Sequence, residues 1–504
     1  MKKILRNVMA ALLVLPLLVS VFGVATVNAD DAETVDVTVN KRIWTDESAP
    51  SEILNTGAQM DFGGEALNGV TFTVYDVTDA YYDLLATTPN TKTVIDTIAS
   101  DLATYAGEDN VVASKVTEGA GQATFRLREL QFGEDPAVFR EAAYLFVETA
   151  TPANVSVTKK AAPFVLVMPL YEMNPNGTFT PTKLPEVHVY PKNETVTDTK
   201  EVVSFDGLDL ITEDGTVYRN VEIGQKIPFK LTLNIPEDIA EVESYSVTDT
   251  PTLGLAYADG TLQVEGLQAG DYTFTTNDNG GFTIELSLES ETVKALAGKQ
   301  LVITYQMALT KEALPDTPYE NGAAVTIGGN DPQETIKPKD PENPENPVKF
   351  ITGGKRFIKT DAHTELGLGE AEFVVKNGNQ FAVFTNNEAG EYAFIEWSDE
   401  AVDNSKVVSA ENTGAFNIIG LKYGTYTLSE VGTPNGYVPI ADLEFDVVYN
   451  GYNAENGIRN VPNTPKGLLP STGGNGIYAF LAVGAVLMIG SYIWFKKSKV
   501  QAEV

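Results

Sequence analysis

Two strand-like stretches of this chain each carry one carboxylate where an apolar side chain would be expected. In "YTLSEVGTPNGY" (426–437), alternation puts Tyr426, Leu428 and Glu430 on one face. Tyr and Leu mark that face as inward, so Glu430 is expected to be buried. In "YLFVETATP" (144–152), Tyr144, Phe146 and Glu148 share the same parity. A carboxyl removed from water is held neutral and can donate a hydrogen bond. A lone Glu at a strand end is usually just solvated. Here two occupy equivalent places, and each has a Lys-Arg strand upstream, "VNKRIWTD" from 39 and "GGKRFIKTD" from 353. The usual equipment of an enzyme is missing. The 504 residues include no cysteine and two histidines, His188 and His363, which are far apart in sequence. A cysteine nucleophile is excluded, and a zinc site or a His-based triad is not expected. No phosphate-binding glycine loop is present, and no acidic loop has a calcium-ligand pattern, so no metal or cofactor is expected.

A different chemistry is suggested at the C-terminus. "GLLPSTGGNG" (467–476) precedes nineteen uncharged residues, Ile477–Phe495, and then the basic cluster Lys496, Lys497 and Lys499. The uncharged run is long enough to span a bilayer as a helix, and the lysines favour a cytoplasmic tail. The N-terminus has the matching export signal. Lys2, Lys3 and Arg6 are followed by an apolar stretch from Met9 to about Val27 and a small-residue cleavage site ending at Ala29. The order pentapeptide, span, basic tail resembles the cell-wall sorting signal of Gram-positive surface proteins. That resemblance implies that a sortase cuts between Thr472 and Gly473 of Leu469-Pro470-Ser471-Thr472-Gly473 and passes the Thr carboxyl to an amine. Pro470 favours an extended local shape, and the glycines leave the scissile peptide uncovered.

Removing both ends leaves residues 30–472. Of 35 basic residues six lie in the removed ends, and of 69 acidic residues one does, so the remainder carries a net charge of −39. Such acidity argues against a nucleic-acid partner and suits a self-repelling surface protein.

The elements that must position these residues are strands. Alternating runs recur, including "VDVTVN" near 35, "VTFTVYDV" (70–77), "FVLVMPL" (164–170), "PFKLTLNI" (228–235), "LVITYQMAL" (301–309), "AEFVVKN" (371–377) and "LEFDVVYN" (443–450). One stretch, 93–106, has helical spacing and reads as an insertion. "KPKDPENPENP" (337–347) reads as a stiff linker, and a second boundary falls near 190–200. The expected fold is all-β, three tandem immunoglobulin-like sandwiches. The expected organisation is a signal peptide (1–29), an N-terminal domain (30–195), a middle domain (196–345), a C-terminal domain (346–466) and a sorting signal with its membrane-spanning helix (467–504). The outer domains share a plan. Each opens on the Lys-Arg strand, continues with a Leu five residues before a Phe (Leu67 and Phe72, Leu368 and Phe373), and ends on the Glu-bearing strand.

These segments resemble the Cna-B-type domains of sortase-assembled pilins. There a first-strand Lys and a last-strand Asn form an intramolecular isopeptide bond with the help of a buried Glu. The resemblance implies Lys359, Glu430 and Asn460 in the C-terminal domain, with Lys355 and Asn463 as alternatives. It implies Lys41, Glu148 and Asn193 in the N-terminal domain, although that Lys stands five residues before its Asp46 rather than two, and the Gly-Tyr after the Glu is missing. The middle domain is similar to the Cna-A-type sandwich, which implies Lys200, Asp249 and Asn321. "EVHVYPKN" (186–193) resembles the pilin motif, whose Lys accepts the Thr carboxyl of the next subunit; here it is Lys192. Pro191 cannot donate a ladder hydrogen bond and favours strand termination, which would leave Lys192 accessible. The implied function is the shaft subunit of a covalent pilus on a Gram-positive cell surface. The implied partners are a pilus-specific sortase, identical subunits, minor pilins and peptidoglycan through the pilus base. A wall-anchored adhesin or a minor tip or base pilin, binding an unidentified host ligand, is the alternative.

Overall fold

The computed structural model describes residues 33–50, 55–132, 139–174 and 177–467, together with 481, 483–492 and 494 near the C-terminus. The expected signal peptide and the pentapeptide Leu469 to Gly473 lie outside the described residues. The span expected over Ile477–Phe495 is described only in part, as helix. Among the described residues no helix is long and apolar enough to cross a membrane. The fold is all-β with a small helical insertion. Chain contacts divide it into two units. One comprises residues up to Trp44 with Ala49–Pro152 and Lys160–Asn193; the other comprises Thr45–Ser48, Ala153–Lys159 and the chain from Glu194 onward.

In the first unit, strand Thr34–Asn40 runs parallel to Glu186–Val189 and antiparallel to Gln122–Arg128. A second sheet has the order Phe164–Val167, Ala143–Ala150, Thr71–Asp76, Val111–Val116. Its strand Ala143–Ala150 is buried from Ala143 to Glu148 without alternation, because both of its faces are covered. Leu145 and Val147 pack against Tyr81, Val94 and Ile98 of helices Thr78–Thr87 and Thr91–Ser100. Phe146, of opposite parity, meets Phe125 edge-on. The helical spacing expected over 93–106 becomes two pieces, Thr91–Ser100 and Leu102–Tyr105. Asp101 restarts the helix by accepting the Thr104 N–H. Helix Thr78–Thr87 was not expected.

The second unit has two cores. The middle one lies between two sheets. One orders Thr199–Val202, Ile227–Asn234, Gln300–Leu309 and Leu255–Tyr257; the other orders Tyr272–Thr276, Phe282–Leu286, Tyr245–Pro251 and Asn321–Ile327. Strand Gln300–Leu309 buries every second residue, the period-two pattern of a half-buried strand. The C-terminal core, around Phe357, Phe373, Phe416 and Leu428, is wrapped by one long sheet in which Gly353–Asp361 lies parallel to Ile458–Pro465. The stretch 337–347, expected as a stiff linker, instead forms a hairpin of Lys339–Asp340 with Asn343–Pro347. It is pinned by a buried fork in which Arg219 donates to both Asp340 oxygens at 2.9 and 2.7 Å.

Candidate functional site

Among the described residues three lysines are buried, and each amine lies against a buried acid. Lys41 follows strand Thr34–Asn40 and has no exposed surface. Its backbone is held on both sides, its N–H donating to the Gly121 carbonyl at 2.7 Å and its carbonyl accepting the Leu67 N–H at 3.2 Å. Gly121 has φ +74°, and a Cβ there would fall 2.5 Å from the Lys41 carbonyl oxygen, so only glycine fits. The amine donates to Glu148 Oε2 at 2.7 Å and to Asn193 Oδ1 at 2.5 Å, while Asn193 Nδ2 donates to Glu148 Oε1 at 2.7 Å. The Ala161 N–H also donates to Glu148 Oε2, at 3.2 Å. The Phe72 ring lies 5.6 Å from the amine and faces Glu148 in register across a bulge. Burial pulls the Lys41 amine down to about 8, outweighing the opposing pull of Glu148.

The C-terminal domain repeats this construction. The Lys359 N–H donates to the Gly414 carbonyl, and its own carbonyl accepts the Leu368 N–H, both at 2.8 Å. Gly414 has φ +68°, and a Cβ there would collide with the Lys359 carbonyl. The amine donates to Asn463 Oδ1 and lies 3.5 Å from Glu430 Oε1; both the Lys359 and Glu430 side chains are fully buried. Asn463 Nδ2 donates to Glu430 Oε1 at 2.7 Å, and the Ile440 N–H to Oε2 at 2.8 Å. Phe373 lies 5.3 Å from the amine and faces Glu430 across a bulge. Burial again brings the lysine to about 8.

Asn460 does not belong to this group. The parallel register sets Asn460 beside Ile358 and Asn463 beside Asp361. Lys359 and Asp361 share a parity, so Asn463 turns inward with Lys359, whereas Asn460 points outward and is exposed. The asparagine beside Lys359 is therefore Asn463. The alternative lysine, Lys355, is half-buried and has no acid of this kind beside it.

The middle domain assembles the same groups differently. Lys200 donates to Asp249 Oδ2 at 2.6 Å, with both side chains fully buried. The Tyr305 hydroxyl donates to the same oxygen at 2.5 Å, and Asn321 Nδ2 at 3.3 Å. Asp249 Oδ1 and Asn321 Oδ1 have no hydrogen-bond partner among the described residues. Burial lowers this lysine too, to about 8.

Lys192 lies on the strand beyond the outer face of the first site. Asn193 points inward, and its neighbour Lys192 points the other way, half-buried. The strand breaks only at Tyr190 and Pro191 and then resumes over Lys192–Thr195. The Pro191 carbonyl accepts the Arg42 N–H, so the backbone stays tied down. The Lys192 amine donates to the Pro50 carbonyl at 2.5 Å. Tyr190 stacks on Phe62 at 4.7 Å and accepts the Met60 N–H.

Sequence reasoning missed Tyr305, the glycines Gly121 and Gly414, and the hydroxyls of Thr117 and Ser409. Each hydroxyl donates to the carbonyl of the leucine in its cradle (Leu67 or Leu368) and accepts the N–H of Val70 or Ala371. Aligning "TEGAG" (117–121) with "SAENTG" (409–414) would have exposed the pair.

Three family models match the chain. The Gram-positive pilin subunit D1 N-terminal domain matches residues 32–194, the prealbumin-like fold domain 353–461, and the LPXTG cell wall anchor motif 461–503. Fimbrial subunit type 2 of Actinomyces naeslundii is 27% identical over 381 residues, covering 69% of this chain and 67% of that protein. Fimbrial subunit type 1 of Actinomyces viscosus is 25% identical over 530 residues, covering 93% and 91%. The full-length pilus protein RrgB of Streptococcus pneumoniae shares the fold, with a TM-score of 0.50 and 17% identity over 87% of this chain and 99% of that one. Sandwich domains of this type ahead of a wall-anchor motif define a wall-anchored Gram-positive surface protein. The chain thus joins a Gram-positive pilin subunit domain to a cell wall anchor motif, the parts of a wall-anchored pilus subunit on a Gram-positive cell surface.

Proposed function

We propose that each of the three lysine sites closes an intramolecular amide bond, joining Lys41 to Asn193, Lys200 to Asn321 and Lys359 to Asn463. Burial lowers each amine to about 8, which raises the fraction present as the neutral nucleophile near neutral pH. Nζ attacks the Asn Cγ, and a new N–C bond forms. The neighbouring acid, which holds the amide nitrogen, takes one Nζ proton and passes it to Nδ2; the Cγ–Nδ2 bond breaks and ammonia leaves. Each reaction runs once and ties the start of a domain to its end. What supports this reading is that all three lysines are fully buried against a buried acid, with an Asn amide nitrogen donating to that same acid. An unreacted buried ion pair is costly, and amide formation removes both charges.

We further propose that a pilus-specific sortase joins Thr472 of one subunit to Lys192 of the next, within the division 30–195, 196–345 and 346–466. Minor pilins and peptidoglycan terminate the polymer. A head-to-tail contact does not close on itself and gives an open filament. The position of Lys192 supports this, since it sits one residue from the bonded Asn193 and faces away from it. The test is polymerisation of Lys192→Arg in cells carrying the pilus sortase. A loss of the covalent ladder, with monomer still anchored to the wall, is expected. An undiminished ladder would assign the acceptor to another lysine.

A further inference from the structure

The acids of the outer sites are each steadied by a backbone donor, the Ala161 N–H on Glu148 and the Ile440 N–H on Glu430. In the middle site a side chain stands in that place. The Tyr305 hydroxyl lies 2.5 Å from Asp249 Oδ2 and 3.4 Å from Asn321 Nδ2, the nitrogen that must leave. Asp249 Oδ2, which it touches, also receives the Lys200 amine. The hydroxyl thus spans the path from the oxygen that collects the lysine proton to the nitrogen that needs one. A backbone amide cannot do this, because it cannot give up its proton and take another.

We propose that Tyr305 is a catalytic proton carrier between Asp249 and Asn321 in the middle-domain bond. This rests on the amide-bond reading above. Lys200 Nζ, which lies against Asp249 Oδ2, attacks Asn321 Cγ, and the carbonyl electron pair moves onto Asn321 Oδ1. Oδ2 takes a proton from Nζ. The Tyr305 hydroxyl rotates, delivers its proton to Nδ2 and recovers one from Oδ2. The carbonyl re-forms as the Cγ–Nδ2 bond breaks and ammonia departs. One Nζ proton has moved to the leaving nitrogen, and Asp249 and Tyr305 end as they began. Burial raises the Tyr305 hydroxyl well above the usual phenol range, which keeps it protonated and able to act.

The test is Tyr305→Phe in the ectodomain 30–472, made by short-pulse expression without sortase and followed by intact mass and peptide mapping. Phe preserves the ring contacts to Phe229 and Phe282. The Lys200–Asn321 linkage is expected to form about 10²-fold more slowly. The linkages at Lys41 and Lys359 in the same molecules should form at the wild-type rate. In a Lys200→Ala background, where no middle bond can form, Tyr305→Phe should cost only the stability of one lost hydrogen bond, much less than a hundredfold change represents. A wild-type rate in Tyr305→Phe would overturn the proposal. So would slowing accompanied by an equal loss of stability in the Lys200→Ala background, which would make Tyr305 a structural residue. A wild-type protein without the Lys200–Asn321 linkage would instead defeat the underlying reading of this domain.

Discussion

The outer sites and the middle site bring together lysine, acid and asparagine by two different constructions. At Glu148 and Glu430 both carboxylate oxygens are engaged, one by the asparagine amide and the other by a loop N–H. The asparagine carbonyl faces the lysine amine directly. At Asp249 three donors crowd one oxygen, while the other oxygen and the asparagine carbonyl have no partner among the described residues. A glutamate reaches the asparagine from a bulged strand and has a backbone donor to hold it. The shorter aspartate, on strand Tyr245–Pro251 directly beside Asn321–Ile327, relies on a tyrosine from the opposite sheet. A common set of functional groups therefore does not imply a common way of moving protons.

The largest effect that can break this comparison is removal of an acid. Glu430→Ala or Asp249→Ala should each abolish one bond and restore the mass of one ammonia. The Lys359 and Asn463 positions are 104 residues apart, and Lys41 and Asn193 are 152 apart. Opening loops of that size should cost about 5 kcal/mol each on a chain-entropy estimate, read as a lower unfolding temperature and faster proteolysis. If Asp249→Ala still reacted, the middle site would need an acid other than Asp249.

Next in size is pH. All three amines are drawn from the usual 10.5 to about 8 by burial. Bond formation should slow about tenfold per unit below pH 8 and level off above it. Stability runs in the same direction. A lysine whose folded value is depressed opposes folding once protonated. Asn463→Ala, which keeps the acid but cannot react, should therefore be most stable above about pH 10.5. It should lose stability as pH falls toward about 8. Denaturant melts from pH 7 to 11 measure this, and a flat profile would mean that Lys359 is not held neutral.

The glycine cradles sharpen the likeness of the outer sites. Gly121→Ala and Gly414→Ala put a Cβ against a lysine carbonyl at positive φ. Each should cost about 1–3 kcal/mol and slow its own bond while sparing the other two. The smallest expected effect belongs to Asn460→Ala. It should leave all three bonds and the melting curve unchanged, whereas Asn463→Ala removes one bond.

The sequence made much of this legible, for physical reasons. Period-two burial is a local property, so Glu148 and Glu430 could be read as inward from the Tyr and Leu beside them. The choice between Asn460 and Asn463 was not local. Ile458 shares a parity with Asn460 and Val461 with Asn463, so the strand's own pattern pointed both ways, and the parallel register against Gly353–Asp361 decides between them. Tyr305 lay hidden because a tyrosine in a strand of mostly apolar residues reads as core packing, and its hydroxyl acquires a role only when the second sheet closes over it. The hairpin at 337–347 was misread because its prolines and charges resemble a linker, while the group that anchors it, Arg219, lies far upstream.

The most direct test is the intact mass of the ectodomain, residues 30–472, made without any sortase, with peptide mapping of the linked pairs. The account predicts a deficit of three ammonia molecules, mapped to Lys41–Asn193, Lys200–Asn321 and Lys359–Asn463. A mass equal to that of the sequence would contradict it, leaving three buried ion pairs with no reaction between them.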